Sequence, residues 1–350
     1  MEVKALKFGG LTAKRPIVQG GMGVGVSLSS LAGNVAKCGG VGTISGVHPG
    51  YREADFKENP FRANLRAIGN ELEKAKEIAN GGIIGFNFMT VMNHYEEYVK
   101  EAIAAGADFI VSGAGLPVNL AKYAAGTRAA ILPIVSSARA LKLIVKQWQR
   151  ADRLPDAVVV EGPLAGGHLG YPYGHLVDGT FDTLEDSLVD VVDYVRELEE
   201  KNGVKIPVIA GGGVRNHADM ERLMALGASG VQVGTKFVAT EECDAAPAFK
   251  QAYLRSRKED VQLIESPVGL AARAIRNSFL EKVEKQGRIP VQRCYQCMNH
   301  CKQAETKYCI SQALIDAVQG REGLVFCGAN AYEIEKLSTV GKVMQELCGE

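Results

Sequence analysis

The sequence predicts a TIM (β/α)8 barrel, because eight short hydrophobic segments alternate with amphipathic segments of helical period. Each segment is hydrophobic almost throughout, which is typical of parallel strands that are covered on both faces. Glycine clusters follow five of the eight segments, at the ends where barrel enzymes place their ligands. An open, doubly wound sheet is the alternative, since strand–helix alternation does not by itself show that a sheet closes.

The predicted strands are, in order, Pro16–Gln19, Val41–Ser45, Ile83–Met89, Phe109–Ser112, Ile131–Ser136, Ala157–Val160, Pro207–Ala210 and Val231–Val233. The clearest helices between them are predicted over Arg62–Ala79, His94–Ala105 and Leu184–Glu200. We predict two parts: residues 1–285 form the barrel, and residues 286–350 form a helical, cysteine-rich extension that packs on it.

The charge balance argues against a nucleic-acid partner. The chain has 40 basic and 40 acidic residues, so it lacks the excess of positive charge that nucleic-acid binders carry. The N-terminus has no apolar stretch of signal-peptide type, and no apolar run approaches the ~20 residues of a membrane helix. We therefore expect a cytoplasmic protein without a membrane partner. In such a protein, cysteines bind metal or take part in catalysis more often than they form disulfides.

The glycine clusters predict a large ligand at one face of the barrel. They lie at 20–23, 113–115, 162–167, 211–213 and 234, each after a predicted strand. Glycine makes tight turns for structural reasons alone, but five clusters on one face favour a bound ligand. The two clusters after the seventh and eighth strands fit a phosphate cradle, to which the Thr235 hydroxyl adds a donor.

The ordered set of motifs resembles the nitronate monooxygenases (2-nitropropane dioxygenases) and the related FMN-dependent enoyl-acyl-carrier-protein reductases. The similarity covers residues 10–280, and its core is the segments 16–22, 161–170, 207–214 and 230–235. Shorter matches are 40–45, 85–87, 113–115 and 266–270, with Arg273 and Asn277. The resemblance implies a TIM barrel that holds FMN on its C-terminal face.

The resemblance also implies roles for individual residues. Gly21 and Met22 are expected beside the flavin ring, and Asn87 is expected to hydrogen-bond the ring or the ribityl chain. The remaining cofactor-binding residues that it implies are Glu161, Gly166, Gly167, Gly212, Gly213, Gln232, Gly234 and Thr235.

His168 stands where the family has its active-site histidine. An imidazole titrates near neutral pH, which suits the transfer of a proton at carbon next to a nitro or thioester group. Relatives usually have an acidic residue directly before Ala165, whereas this chain has Leu164 and its nearest carboxylate is Glu161. We expect the other histidines at the surface or at helix caps: His48, His94, His175, His217 and His300. Of these, His175 shares the loop after His168 with Tyr171 and Tyr173. This loop either closes over the substrate or is polar only because it lies at the surface, as loops usually do.

Four cysteines in the extension have the spacing Cys294-x2-Cys297-x3-Cys301-x7-Cys309. Four thiolates suit a [4Fe–4S] cluster or a tetrahedral metal, and this spacing is closer to iron–sulfur proteins than to zinc sites with two separated pairs. We predict a [4Fe–4S] cluster, with zinc or free thiols as alternatives and Cys327 as a spare ligand. Ordinary nitronate monooxygenases lack such a segment.

Together these observations predict an FMN-dependent oxidoreductase that oxidises alkyl nitronates with His168 as base. The chief alternative is an enoyl-thioester reductase fed by NAD(P)H or by an iron–sulfur relay. A flavin-binding electron-transfer or regulatory subunit is a third hypothesis. The expected partners are a small-molecule substrate and an electron donor; the oligomeric state stays open, although the resembled family is commonly dimeric.

Overall fold

The computed structural model describes residues 4–299 and 301–350. Its strands are β1 (Leu6–Phe8), β2 (Leu11–Ala13), β3 (Ile17–Gln19), β4 (Val41–Ser45), β5 (Ile83–Met89), β6 (Phe109–Gly113), β7 (Ala130–Val135), β8 (Val158–Glu161), β9 (Gly167–Leu169), β10 (Val208–Gly211), β11 (Gly230–Val233), β12 (Val261–Glu265) and β13 (Ala271–Ile275).

The helices follow the same chain order. They are α1 (Ser29–Lys37), α2 (Pro60–Ala79), α3 (Tyr95–Ala104), α4 (Leu120–Tyr123), α5 (Ala138–Trp148), α6 (Tyr173–Asp178), α7 (Leu184–Asn202), α8 (His217–Ala225), α9 (Thr235–Val238), α10 (Pro247–Arg255), α11 (Ser278–Gln286), α12 (Ile310–Val318) and α13 (Val340–Cys348). In the described part of the chain, no helix is both long and apolar enough to cross a membrane.

Eight parallel strands close into a barrel in the order β3-β4-β5-β6-β7-β8-β10-β11, and β11 pairs back onto β3. The predicted barrel is thereby confirmed, and the open-sheet alternative is wrong. Each predicted strand agrees with its observed strand to within one residue at either end, because continuous burial makes each one a compact hydrophobic segment.

A short hairpin that the sequence did not predict fills the N-terminal end of the barrel. β1 and β2 pair antiparallel, and Leu6 and Phe8 are buried among inward-facing barrel residues. The Phe8 ring meets Phe109 edge-on, with 6.0 Å between centroids. The ligand-binding face is therefore the opposite, C-terminal end.

A second small sheet crosses that C-terminal face. β9 pairs antiparallel with β13, and β13 pairs with β12. In this register His168 lies opposite Ala272. The segment around His168, which follows the sixth predicted strand, thus forms the short strand β9. Its pairing with β13 fixes the position of His168.

The C-terminal residues join the hydrophobic core of the barrel. Apolar side chains of α12 and α13, such as Leu314 and Leu347, belong to the same buried cluster as Leu31 and Trp148. This observation does not test a boundary at residue 285, which stays a prediction.

Candidate active site

A cavity of about 470 Å³ lies at the carboxyl ends of the barrel strands; we call it the inner cavity. Its volume falls within the about 300–1,000 Å³ typical of ligand pockets. All eleven residues predicted to bind the cofactor line it: Gly21, Met22, Asn87, Glu161, Gly166, Gly167, Gly212, Gly213, Gln232, Gly234 and Thr235. His168 lines it as well. The fold therefore gathers the predicted site residues in one place, because parallel strands bring their carboxyl ends to one face.

Two sides of this cavity require glycine. A Cβ atom added at Gly21 would lie 2.3 Å from the Cβ of Asn87, so only glycine permits this close approach. Gly212 and Gly213 have φ angles of 102° and 89°, which lie in the left-handed region that glycine adopts without strain. The backbone is thus exposed to the cavity at both places.

The end of the cavity near β10 and β11 has the chemistry of an anion site. Gly212, Gly213 and Thr235 all line this cavity, and exposed backbone and hydroxyl groups of this kind make a phosphate cradle. Lys236 also lines this end, and its Nζ donates to the Arg215 carbonyl and to Glu346 Oε1, each at 2.7 Å. These groups fit a phosphate.

Gln232 supplies an observation that points to a ligand. Its Oε1 is buried and has no hydrogen-bond partner among the described residues. A buried acceptor without a partner costs about 1–3 kcal/mol, so such atoms in a cavity wall indicate a missing donor. A flavin offers N–H and hydroxyl donors, and the residues present therefore fit FMN.

His168 is held in one orientation. Its Nε2 lies 2.8 Å from Ser266 Oγ, and its ring meets Phe326 edge-on, with 5.0 Å between centroids. Burial lowers the pKa of His168 to about 4. The imidazole is therefore neutral at pH 7 and can accept a proton, but it is a weaker base than the near-neutral imidazole that the sequence led us to expect.

Glu161 lies at the end of β8 and also lines the cavity. Burial raises the pKa of its carboxyl to about 8, so the acid is largely protonated at pH 7. Tyr171 Oη donates to the Glu161 carbonyl at 3.1 Å and so connects it to the following loop. Leu164, at the position where relatives are acidic, is 45% exposed.

A larger cavity of about 990 Å³ adjoins the inner one; we call it the outer cavity. In the described part of the chain, Glu161 and His168 are the only ionisable residues that line both cavities. Tyr171 and Tyr173 line the outer cavity, whereas His175 is exposed on α6 and lines neither. The junction of the two cavities thus has one neutral base and one protonated acid.

The sequence analysis missed a wall of the inner cavity. Residues 324–330, which we call the C-terminal strap, cross its rim, and residues 326–330 line it. The Gly328 N–H donates to Thr235 Oγ1 at 3.0 Å, and the Cys327 N–H donates to the Arg273 carbonyl at 3.1 Å. No local spacing marks these residues, because their partners lie far away in sequence.

The structure corrects one of the expected histidine positions. His48 is buried, not at the surface: its Nε2 lies 2.8 Å from Ser311 Oγ, and burial lowers its pKa to about 4. The reason is that α12, which carries Ser311, covers the loop after β4. His300 lies outside the described residues.

The four extension cysteines line one small cavity of about 220 Å³, which we call the thiol cavity: Cys294, Cys297, Cys301 and Cys309. Within residues 4–299 and 301–350, however, no group of three or more His, Cys, Asp or Glu side chains is arranged to hold a metal ion. The predicted iron–sulfur cluster therefore gains no support from ligand geometry. Cys327, considered as a spare ligand, lies in the wall of the inner cavity instead.

Comparison with known proteins gives a consistent result. The family model for nitronate monooxygenase matches residues 4–350. A probable nitronate monooxygenase of Staphylococcus saprophyticus is 25% identical over 308 residues, which cover 81% of this chain and 82% of that protein. One from Staphylococcus aureus (strain Newman) is 26% identical over 305 residues, covering 80% and 81%.

Two solved structures share the fold. FabK from Thermotoga maritima has a TM-score of 0.71 and 23% identity, and the match covers 96% of this chain and 92% of that one. A nitroalkane oxidase from Streptomyces ansochromogenes has a TM-score of 0.67 and 21% identity, with 96% and 95% covered. At these identities the likeness concerns the fold alone.

Proposed function

The chain belongs to the nitronate monooxygenase family of flavin-dependent oxidoreductases, and we propose that it oxidises alkyl nitronates in the inner cavity with FMN as cofactor and His168 as base. When bound, FMN supplies a two-electron acceptor next to the substrate. One observation carries the proposal: a neutral, oriented imidazole lies at the junction between a cavity that fits FMN and a cavity open to substrate.

Each group of the chain has a proposed task. The backbone at Gly212 and Gly213, with Thr235, binds the phosphate, and Gln232 Oε1 accepts a hydrogen bond from the flavin. Asn87, Gly21 and Met22 would hold the ring, and the absence of a Cβ at position 21 permits the close approach of Gly21 and Asn87 in this wall. The remaining predicted contacts are Glu161, Gly166, Gly167 and Gly234.

His168 removes the proton from the carbon next to the nitro group of a neutral nitroalkane. This proton transfer generates the nitronate that is oxidised. Its lowered pKa leaves the base unprotonated throughout the neutral range. Ser266 positions the ring through the 2.8 Å contact.

The substitution His168→Asn tests this assignment. We expect it to retain FMN and to lower kcat/KM for a neutral nitroalkane by about 10²–10⁴-fold, the usual contribution of a general base. His175→Asn is the matched control, since His175 is exposed on α6 and lines neither cavity. Equal rates for the two variants would remove His168 from the mechanism.

A second candidate is an enoyl-thioester reductase, which the size of the outer cavity favours. About 990 Å³ is far more than a small nitroalkane fills. Arg139, Lys302 and Lys307 line this cavity, but Lys302 pairs with Glu305 at 3.2 Å and Lys307 pairs with Glu265 at 3.4 Å. Arg139 is therefore the group that offers positive charge to an anionic carrier group. For this reaction the bound cofactor would supply a hydride for the activated double bond, and His168 would assist protonation.

Paired assays separate the two candidates. Oxidation of NADH or NADPH that depends on a crotonyl-type thioester, without turnover of nitronates, supports the reductase. Oxygen consumption with a nitronate, in the absence of NADH or NADPH, supports nitronate oxidation.

A cytoplasmic location and a homodimer stay predictions of the sequence.

For the extension, we retain the proposal that Cys294, Cys297, Cys301 and Cys309 hold a [4Fe–4S] cluster in preference to zinc. It is supported by their spacing and by the single cavity that all four line. Loading requires the thiols to converge further, since no ligand set is preformed among the described residues. Iron and acid-labile sulfide in anaerobically purified protein are the measurement; Cys297→Ala should remove them, and Cys348→Ala on α13 should not. Wild-type protein without iron would refute the proposal.

A further inference from the structure

The junction between the inner and the outer cavity combines an apolar wall with two ionisable groups. In the described part of the chain, the residues that line both cavities are Ala114, Ile134, Glu161 and His168. Two of them are apolar, and the other two are a carboxyl and an imidazole. A substrate that occupies both cavities therefore passes beside one acid and one base.

The carboxyl group of Glu161 has no partner within residues 4–299 and 301–350. The hydrogen bond that it receives from Tyr171 Oη, at 3.1 Å, ends on its backbone carbonyl and leaves the carboxyl oxygens unused. Gly211, its neighbour in β10, adds no side chain beside it. Polar groups inside proteins are normally hydrogen-bonded, so an unpartnered carboxyl in a cavity wall indicates a contact with a ligand.

His168 has one ring nitrogen left for a substrate. Its Nε2 lies 2.8 Å from Ser266 Oγ, and the Val268 N–H donates to the same oxygen at 3.4 Å. Its Nδ1 has no hydrogen-bond partner among the described residues. Nδ1 is therefore the atom that accepts a proton from a substrate.

The protonation states of the two groups match the needs of a carbon acid. Burial lowers the pKa of His168 to about 4, so its imidazole is neutral but a weak base. Such a base removes a proton from carbon efficiently only when the negative charge that develops on the substrate is stabilised. Burial raises the pKa of Glu161 to about 8, so its carboxyl keeps a proton that it can donate in a hydrogen bond.

We propose that Glu161 is a second catalytic residue, whose carboxylic acid donates a hydrogen bond to a nitro oxygen of the substrate while His168 takes the proton from the neighbouring carbon. The carbon–hydrogen bond breaks, its proton bonds to Nδ1, and its electron pair forms a carbon–nitrogen double bond. A nitrogen–oxygen π pair moves onto the oxygen that faces Glu161, and the Glu161 proton stays on Glu161. Nothing is oxidised in this step. The proposal rests on the nitroalkane chemistry proposed above and adds to the cofactor contact expected at Glu161.

Few ionisable groups face Glu161. They are His168 on β9 and Tyr171 on the loop that follows it. Beside the end of β8, the flanking strands β7 and β10 contribute Val135 and Gly211. Burial raises the pKa of Tyr171 to about 12, so this phenol stays neutral at pH 8, as does the imidazole. A change in rate near pH 8 that depends on position 161 therefore reports on the Glu161 carboxyl.

The test compares the oxidation of neutral nitroethane with that of preformed ethyl nitronate by the FMN-containing protein. The ratio of the two kcat/KM values isolates proton removal, because both substrates use the same cofactor and the nitronate has already lost its proton. Glu161→Leu should lower this ratio about 10²–10³-fold at pH 7, the usual cost of removing one such donor. Glu161→Gln retains an N–H donor and should recover part of the loss. Asp178→Leu is the control and should keep the wild-type ratio, since Asp178 is exposed at the end of α6 and lines neither cavity.

Two further readouts respond to the acid and not to a merely structural role. As the pH rises through about 8, the nitroethane-to-nitronate ratio of the wild type should fall relative to that of Glu161→Gln, because the amide has no proton to lose. Comparison at equal pH cancels the ionisation of nitroethane in solution. Exchange of the α-hydrogens of nitroethane with deuterium oxide, followed by NMR without oxygen, measures proton transfer without oxidation and should slow in Glu161→Leu.

Equal ratios and equal exchange rates in the wild type and Glu161→Leu would overturn the proposal while leaving nitronate oxidation intact. If Glu161→Leu does not fold, Glu161→Gln decides, and a pH dependence identical to that of the wild type would overturn the role of the acid. A wild type that oxidises neither substrate would contradict the proposed function instead. The exchange measurement then stands alone: slower exchange in Glu161→Leu supports the acid, and absent or equal exchange removes it.

Discussion

A methyl group at position 166 tests whether the C-terminal strap is part of the cofactor site. A Cβ added at Gly166 would lie 2.7 Å from the carbonyl carbon of Cys327 and 2.7 Å from the nitrogen of Gly328. Ordinary contacts of a Cβ begin at 3.4 Å, so the strap must move by 3.4 − 2.7 = 0.7 Å. These neighbours are backbone atoms, which cannot move aside as a flexible side chain can.

The displacement acts on the cavity through one hydrogen bond. The Gly328 N–H donates to Thr235 Oγ1 at 3.0 Å, and a shift of about 0.7 Å along this hydrogen bond would break it. Overpacking costs about 1–3 kcal/mol, and the lost hydrogen bond adds about 1 kcal/mol. If about 2 kcal/mol of this cost falls on the FMN-bound state, the dissociation constant for FMN rises about thirtyfold.

The assay is a titration of the apoprotein with FMN, in which binding is measured from the quenching of flavin fluorescence. Gly174→Ala is the matched control, because it lies in α6 and an added Cβ there meets nothing within 4 Å. We expect Gly166→Ala to bind FMN much more weakly than Gly174→Ala. Equal dissociation constants would show that the strap plays no part in holding the cofactor.

Three further predictions concern buried polar groups. Gln232→Leu removes the unpartnered Oε1, so the apoprotein should melt at the same or a higher temperature while FMN binds about tenfold more weakly; equal FMN affinity would contradict a cofactor contact. Asp244 accepts hydrogen bonds from the Leu28 and Leu31 N–H groups at 2.8 and 3.1 Å, so Asp244→Asn should cost about 1–2 kcal/mol in denaturant unfolding; an unchanged midpoint would refute this capping role. The pKa of Glu161 is raised to about 8 in the folded protein, against 4.5 for a free carboxyl, so the folded state binds the extra proton and wild-type stability falls as pH rises through this window. Glu161→Gln lacks this loss, so its apoprotein should gain about 4 kcal/mol of stability relative to wild type between pH 4 and pH 8. A stability difference that does not change with pH would refute this.

The sequence predicted the barrel accurately for a physical reason. Parallel barrel strands are covered on both faces, so segments such as Val158–Glu161 and Val208–Gly211 contain consecutive apolar residues without polar alternation. Once the strands are parallel, the residues that follow them must meet at one face. This is why Gly21, Asn87 and Gln232, which are distant in sequence, line one cavity.

Features made by contacts between distant segments escaped the sequence. Strand β9 has only three residues and gains its partner about 100 residues later, so no local pattern marked the sheet that holds His168. The contact of the C-terminal strap with Thr235 spans a separation of 93 residues. The buried position of His48 likewise depends on α12, which covers it from the far end of the chain.

By itself, the amino-acid sequence predicted the eight barrel strands, the ligand-binding face, the resemblance to the family and twelve of the residues that line the inner cavity. The tertiary structure decided the protonation of the site, since burial moves the pKa values of His168 and Glu161 in opposite senses and leaves a neutral base beside a protonated acid. It also decided that the thiol cavity adjoins the inner cavity through Cys297. Burial and adjacency both depend on which distant segments pack together, and residue spacing along the chain does not encode that.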